Sequence, residues 1–278
     1  MPSRCPNLQL NPEVNMFGIV QRRFKTEREW EEVWNTPAEV PAFVRDLGFP
    51  GSLEVEASFH GAVHYLAGYL QRFEFRLFRN GGLPLIERRT GPLIEEVLVR
   101  LGPNPVRGAY LPISLHLHVC HEGLREIRER YWPTAGRPPV SLVSGNIGLL
   151  QTVPTYDIWN VATEDALIEI TDSFRQELLP YLEMLSSPNQ LRRAIFDGDA
   201  PMFDPATSVE WLLLEFGRPD AREYIRQLID AEDLVIRDFW KEHDQLKNQT
   251  QVGYMPGNLT HNLAVIAFSH DICRRWLY

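Results

Sequence analysis

The chain has 278 residues, of which 44% are hydrophobic, 23% charged and 11% aromatic, the profile of a folded globular protein and not of a disordered or fibrous one. Roughly three quarters of the unfolded surface is buried at this length, so a core forms without disulfides or a structural metal. A net charge of −9 excludes a general attraction to nucleic acid or anionic lipid; the acidity lies in residues 151–278, with 11 basic against 21 acidic side chains, whereas 1–150 carry 17 against 16.

In chain order, the start MPSRCPNLQLNPEVNMFG places prolines and polar residues where a signal peptide needs an apolar core, and no later run reaches the roughly 20 apolar residues of a membrane span. A cytoplasmic location with no membrane partner is expected. Cys5, Cys120 and Cys273 are odd in number and contain no CxxC, which argues against a disulfide framework and for a reducing compartment. Thr26 and Glu29 form a capping box that predicts a helix over 27–35, and Pro37 opens a second one that stops at Gly48. From Leu53, alternating Leu53, Val55, Ala57 and Phe59 read as a strand, while Tyr65, Leu66, Tyr69, Leu70, Phe73 and Leu77 have helical spacing; the reading is a strand followed by a helix or second strand. Gly81-Gly82 breaks the chain, and Leu93 to Leu101 predicts a helix closed by Gly102 and Pro103.

Residues 109–161 form the clearest β region. Ile113, Leu115, Leu117 and Val119 alternate with Ser114, His116, His118 and Cys120. A short helix near 122–131, a strand over 140–150 and another at Tyr156–Val161 follow. From Glu164 the pattern is helical, with Pro188 and Pro219 marking helix starts. The expected class is α+β: a mostly antiparallel sheet flanked by helices, then an all-helical C-terminal region. The expected division is an α+β core domain over 1–199 and a helical subdomain over 200–278 packed on it, with a boundary near Asp197–Pro205.

Four features, ISLHLHVC at 113–120, Asn146-Ile-Gly-Leu-Leu at 146–150, Asp157-Ile-Trp at 157–159 and Leu179-Pro-Tyr-Leu-Glu-Met-Leu at 179–185, occur in an order that resembles a family of small bacterial domains of unknown function. The resemblance covers about 110–195, under a third of the chain. Where that family often shows a Trp-Trp pair, this chain has Ile158-Trp159. The resemblance implies a strand-rich core and a bacterial origin; it carries over no catalytic residue.

Among groups that support chemistry, the face Ser114, His116, His118 and Cys120, with His121 next in line, stands out. Residues i and i+2 of a strand point to one side, and an H-x-H pair can grip a divalent transition metal; the competing reading is the polar face of a half-exposed strand. His60 and His64 have the ligand spacing of H-E-x-x-H enzymes, but Gly61 stands where the general-base Glu would be. There is no G-x-S-x-G elbow, no S-x-x-K and no phosphate-binding glycine loop. Arg72, Arg76 and Arg79 would share a helix face near Tyr65 or Tyr69, either as a solvated face or as a phosphate or RNA contact. Asp197, Asp199 and Asp204 read as an acidic linker. Trp211 with Leu212, Leu213, Leu214 and Phe216 exceeds one core-facing stripe, so that helix is sandwiched in the core or covers a partner.

The leading expectation is a non-enzymatic protein that binds other proteins, of an accessory or immunity type, with no cofactor and with an apolar contact surface around Trp211 or Trp240. The alternative is a metal-dependent hydrolase using His116 and His118, with His60 and His64 as further ligands. Binding of RNA or a phosphorylated ligand through Arg72, Arg76 and Arg79 ranks third, since the charge balance makes nucleic acid an unfavoured partner.

Overall fold

Between Val55 and Leu70 the apolar positions Phe59, Ala62, Val63, Leu66, Ala67 and Leu70 recur three and four apart and are all buried, the stripe of a helix with one face in a core. In the computed structural model this segment is α1 (Val55–Leu70). The strand expected from Leu53 is therefore not formed: four alternating residues are outweighed by a stripe of four turns. The structure describes residues 55–80, 83–132, 138–231, 234–248, 253–255 and 257–272. The helices expected over 27–35 and 37–48 lie outside them, as do Cys5 and Cys273. The chain divides into two compact units, a sheet unit with described residues 55–119 and 144–183, and a helical unit with 120–143 and 184–272.

Among the described residues the sheet has six strands, β1 (Arg76–Asn80), β2 (Leu83–Thr90), β3 (Leu93–Leu101), β4 (Pro112–His121), β5 (Ser141–Asn146) and β6 (Trp159–Asn160). Their order is β1-β2-β3-β4-β5, with β6 paired to the start of β4 through Ile113 and Trp159. The last residues of β4 and the first of β5 belong to the helical unit. Leu93–Leu101 is thus a strand and not the expected helix. Its apolar residues Leu93, Ile94, Val97, Leu98 and Leu101 mimic a helical repeat, because a central strand covered on both faces takes apolar residues at either parity. Gly102 closes it: its N–H donates to the Pro112 carbonyl at 2.7 Å, and a Cβ there would lie 3.0 Å from Pro112 Cβ.

One face of the sheet is apolar, with Ile86, Val97, Val99, Ile113, Leu115, Leu117 and Val119 fully buried. It holds an ion pair, Arg88 to Glu95 at 2.5 Å on directly opposed residues of β2 and β3. Burial raises the Glu95 carboxyl and the Arg88 charge pulls it back; the guanidinium also lies 4.7 Å from the Phe75 ring. The opposite face carries Glu96, Leu98 and Arg100 of β3 and Ser114, His116 and His118 of β4. After β6, α3 (Glu164–Ser173) runs through a π-helical segment, Phe174–Leu178, into α4 (Leu179–Ser186).

The helical unit contains α2 (Leu124–Arg128), α5 (Pro188–Asp197), α6 (Pro205–Glu215), α7 (Arg218–Asp230), α8 (Ile236–Leu246) and α9 (Leu259–Ser269). Prolines in the first turn start α5, α6 and α7. Asp204, assigned to a linker on sequence, caps α6 by accepting from the N–H groups of Ala206 and Thr207 at 3.0 and 3.1 Å. Every residue from Ala206 to Leu212 is buried, because α6 is surrounded by α2, α5, α7 and α9. The wide apolar surface of this helix is therefore a sandwiched core element. The α+β class holds, and no helix among the described residues is long and apolar enough to cross a membrane.

Candidate functional site

The Gly102–Pro112 hydrogen bond fixes the antiparallel pairing of β3 and β4, setting Arg100 across from Ser114, Leu98 from His116 and Glu96 from His118. On that face Glu96 Oε2 and His118 Nδ1 are 2.8 Å apart. His116 points its Nε2 at the Tyr156 hydroxyl, 3.0 Å away, with Ser114 Oγ at 3.4 Å, and the Tyr156 ring meets the imidazole edge-on at 5.7 Å. Burial, then the charge of Arg100, lowers the His116 pKa from 6.5 to about 4, so the ring is neutral at pH 7. Arg100 itself is half-buried. Its Nε is shielded from solvent with no hydrogen-bond partner, and the guanidinium has no ion pair among the described residues.

Tyr156 comes from a loop, and the loop is built to hold it. Asn146, 1% exposed, accepts from the N–H groups of Gly148 and Asp157 at 2.9 and 3.1 Å and donates to the Asp157 carbonyl at 3.1 Å. Gly148 is required by close approach: a Cβ would sit 2.6 Å from the Asp157 carboxylate and 2.7 Å from the Thr155 carbonyl. Asp157 in turn accepts from Gln151 and Thr155.

The expected metal ligands are not brought to one point. His116 and His118 share a face, but Tyr156 and Glu96 hold the two rings on separate partners. Among the described residues the one group of His, Cys and carboxylate donors within reach of a common ion is Glu96, His118 and Cys120. Cys120 is disulfide-bonded, which corrects the expectation from cysteine number and removes its thiolate as a ligand, leaving Glu96 and His118. His60 and His64 are half-buried on α1, and burial lowers the His64 pKa; neither joins His116 and His118 in such a group. In the helical unit His121 pairs with Glu215 at 3.3 Å, and His261 bonds Glu242 and the Gly253 carbonyl at 3.0 and 2.9 Å.

The expected partner-binding residues also fall elsewhere. Trp211 and Trp240 are buried in α6 and α8, with 2% and 3% exposure, so they pack the core and present no surface. Arg72 lies in the 3-10 turn Gln71–Phe73, 5.5 Å from the Tyr69 ring, and Arg76 and Arg79 lie on β1. No single helix face holds the three. Exposed large apolar side chains include Val106, Tyr110, Val235 and Met255, and four fall in one stretch of the sheet unit: Val153 at 72%, Tyr156 at 56%, Ile158 at 51% and Ile168 at 46%. Beside Ile158 is an open cleft of about 320 Å³ lined by Asp157, Trp159, Thr163, Asp165 and Glu169.

Arg100 and Glu96 escape sequence reasoning because β3 reads as a helix. Tyr156 escapes because it reaches His116 from 40 residues away. The available signal was the dipeptide Gly81-Gly82, a sequence typical of hairpins, which favours strands on either side of it and hence a sheet continuing into Leu93–Leu101. Comparison of the chain with protein-family models, with curated proteins and with solved structures gives no match.

Proposed function

We propose that this chain is a non-enzymatic binding protein that docks a basic segment of a partner protein on residues 153–169 of its sheet unit. The observation that carries the reading is the apolar rim of Val153, Ile158 and Ile168 beside a cleft whose carboxylates are Asp157, Asp165 and Glu169. Isolated exposed apolar residues are ordinary, but several within 16 residues, next to like charges, fit a recognition surface. A lysine or arginine of the partner fills the cleft, and its apolar neighbours cover the rim; the charge sets orientation and on-rate while the apolar contact sets the lifetime. Against a metal-dependent hydrolase at His116 and His118 stands the separation of the two rings onto Tyr156 and Glu96.

The test is a peptide-display selection on the immobilised full chain. Enriched peptides are expected to share a lysine or arginine flanked by large apolar residues. A selected peptide should bind at least tenfold more weakly to Ile158→Asp and to the Asp165→Asn/Glu169→Gln double variant. Absence of enrichment, or undiminished binding to both variants, overturns the proposal.

A further inference from the structure

We propose that Arg100, Ser114, His116 and Tyr156 form a binding site for an oxyanion, the phosphate or carboxylate group of a small molecule. The starting point is Arg100. Arg88 and Arg128, both largely withdrawn from water, are each paired with a carboxylate, Glu95 and Glu210, as such withdrawal requires. Arg100 is half-buried with a shielded Nε and has no carboxylate partner among the described residues, and an unsatisfied buried donor in a folded protein calls for a reason. Its planar fork of N–H groups suits the paired oxygens of phosphate or carboxylate.

The neighbouring groups complete such a site. Ser114, across the ladder, supplies a rotatable hydroxyl. Tyr156 supplies a second one, held by the neutral His116 ring. As the Nδ1–H tautomer the ring accepts the phenol proton; as the Nε2–H tautomer it donates to the phenol oxygen and frees that proton for an anion. Among the described residues no carboxylate is paired with the guanidinium. Glu96 is bonded to His118 and lies four residues away on the same strand, about 13 Å by strand rise. Asp157 is taken up by Gln151 and Thr155. One guanidinium in a chain of net charge −9 suits one small anion and not a polyanionic nucleic acid. None of these residues lines the carboxylate cleft; Tyr156 alone falls within the docking stretch 153–169, and Arg100, Ser114 and His116 lie outside it, so the two proposals are tested by different variants.

The experiment is calorimetric titration of the full chain, at constant ionic strength, with inorganic phosphate and separately with acetate. Saturable one-to-one binding of at least one is expected, and the anion that binds names the group, phosphate or carboxylate. Arg100→Met should abolish it, Arg100→Lys should weaken it about tenfold by losing the fork, and Tyr156→Phe should weaken it several-fold. Arg193→Met, which removes an exposed arginine on α5, should leave it unchanged. Failure of the parent protein to bind either anion, or equal losses in Arg100→Met and Arg193→Met, overturns the proposal.

Discussion

Arg128 in the helical unit and Arg100 in the sheet unit are both drawn out of water, but they are treated differently. Arg128, 6% exposed, spends its donors: Nε and Nη2 bond Glu210 Oε2 at 2.9 and 2.6 Å, and Nη1 bonds the Pro139 carbonyl at 3.0 Å. Tyr131 donates to the other oxygen of Glu210. Burial raises the Glu210 carboxyl and Arg128 pulls it back down. Such a saturated network ties α2 to α6 and leaves nothing to offer a ligand. Arg100 has the same chemistry with no acceptor, and what holds its neighbours, Asn146 on the Tyr156 loop and Tyr156 on His116, leaves the guanidinium unpaired. The paired charge of Arg128 belongs to the fold, and the unpaired one of Arg100 is the group on which the oxyanion proposal rests.

Loss of the Arg128 guanidinium strikes the helical unit hardest. Arg128→Met leaves a carboxylate with 0% exposure facing only Tyr131, and an uncompensated buried charge of this kind costs about 3–5 kcal/mol. Urea unfolding should show the midpoint falling with unchanged slope, and Arg128→Met/Glu210→Leu should recover at least half of the loss. A loss below about 1 kcal/mol for the single variant would mean that the network does not hold the two helices together.

In the sheet unit the comparable variant is Asn146→Ala. It strips the bonds to Gly148 and Asp157, and leaving such buried groups unmet costs about 2 kcal/mol. Because Asn146 acts by positioning the loop, phosphate or acetate binding should weaken as well, with Arg100 untouched. Unchanged affinity in a folded Asn146→Ala protein would detach the Tyr156 loop from the oxyanion site.

Acid acts on both units, since each contains a histidine lowered to about 4: His116, by burial and Arg100, and His270, by burial and Arg130, with Arg218 adding and Asp271 opposing. The unfolded chain takes up protons on these groups near pH 6.5 and the folded chain does not until about pH 4. Their contribution to stability is therefore complete above pH 6.5 and lost as pH falls toward 4, by about 1–2 kcal/mol each after allowance for partial solvation. Glu210, whose pKa is raised, works in the opposite sense, so the comparison is made between variants. His116→Asn and His270→Asn should each flatten the loss measured by unfolding between pH 7 and 4.5; a profile identical to the parent's would show that the ring protonates without cost.

Much of this arrangement was legible in residue order, and the part that was not has a physical cause. The alternation Ile113-x-Leu115-x-Leu117-x-Val119 gives β4 with two unlike faces, and the histidine face is where the chemistry lies. Pro188 and Pro219 mark real helix starts. Leu93–Leu101 misleads because burial on both faces erases the period of two, and Arg72, Arg76 and Arg79 scatter because the helix ends at Leu70. The oxyanion site was out of reach for a further reason. It joins two neighbouring strands to a loop, so it depends on register and on Asn146, and neither is a property of any one segment.

The smallest expected effect is also the most discriminating. Arg100→Met removes a guanidinium that bonds to nothing among the described residues and substitutes a flexible apolar chain of similar length. If the position served the fold, stability would fall by the 3–5 kcal/mol expected of a broken buried pair. If it is held for a ligand, the variant should be within about 0.5 kcal/mol of the parent, or slightly more stable, because an unsatisfied donor has been removed from the interior. The same substitution should raise the His116 pKa, since one of the two causes lowering it is the Arg100 charge, and the imidazole proton signals read this directly by NMR titration. A rise in that pKa with stability unchanged places Arg100 beside His116 as an element the fold does not require. A large loss of stability returns it to the class of Arg128.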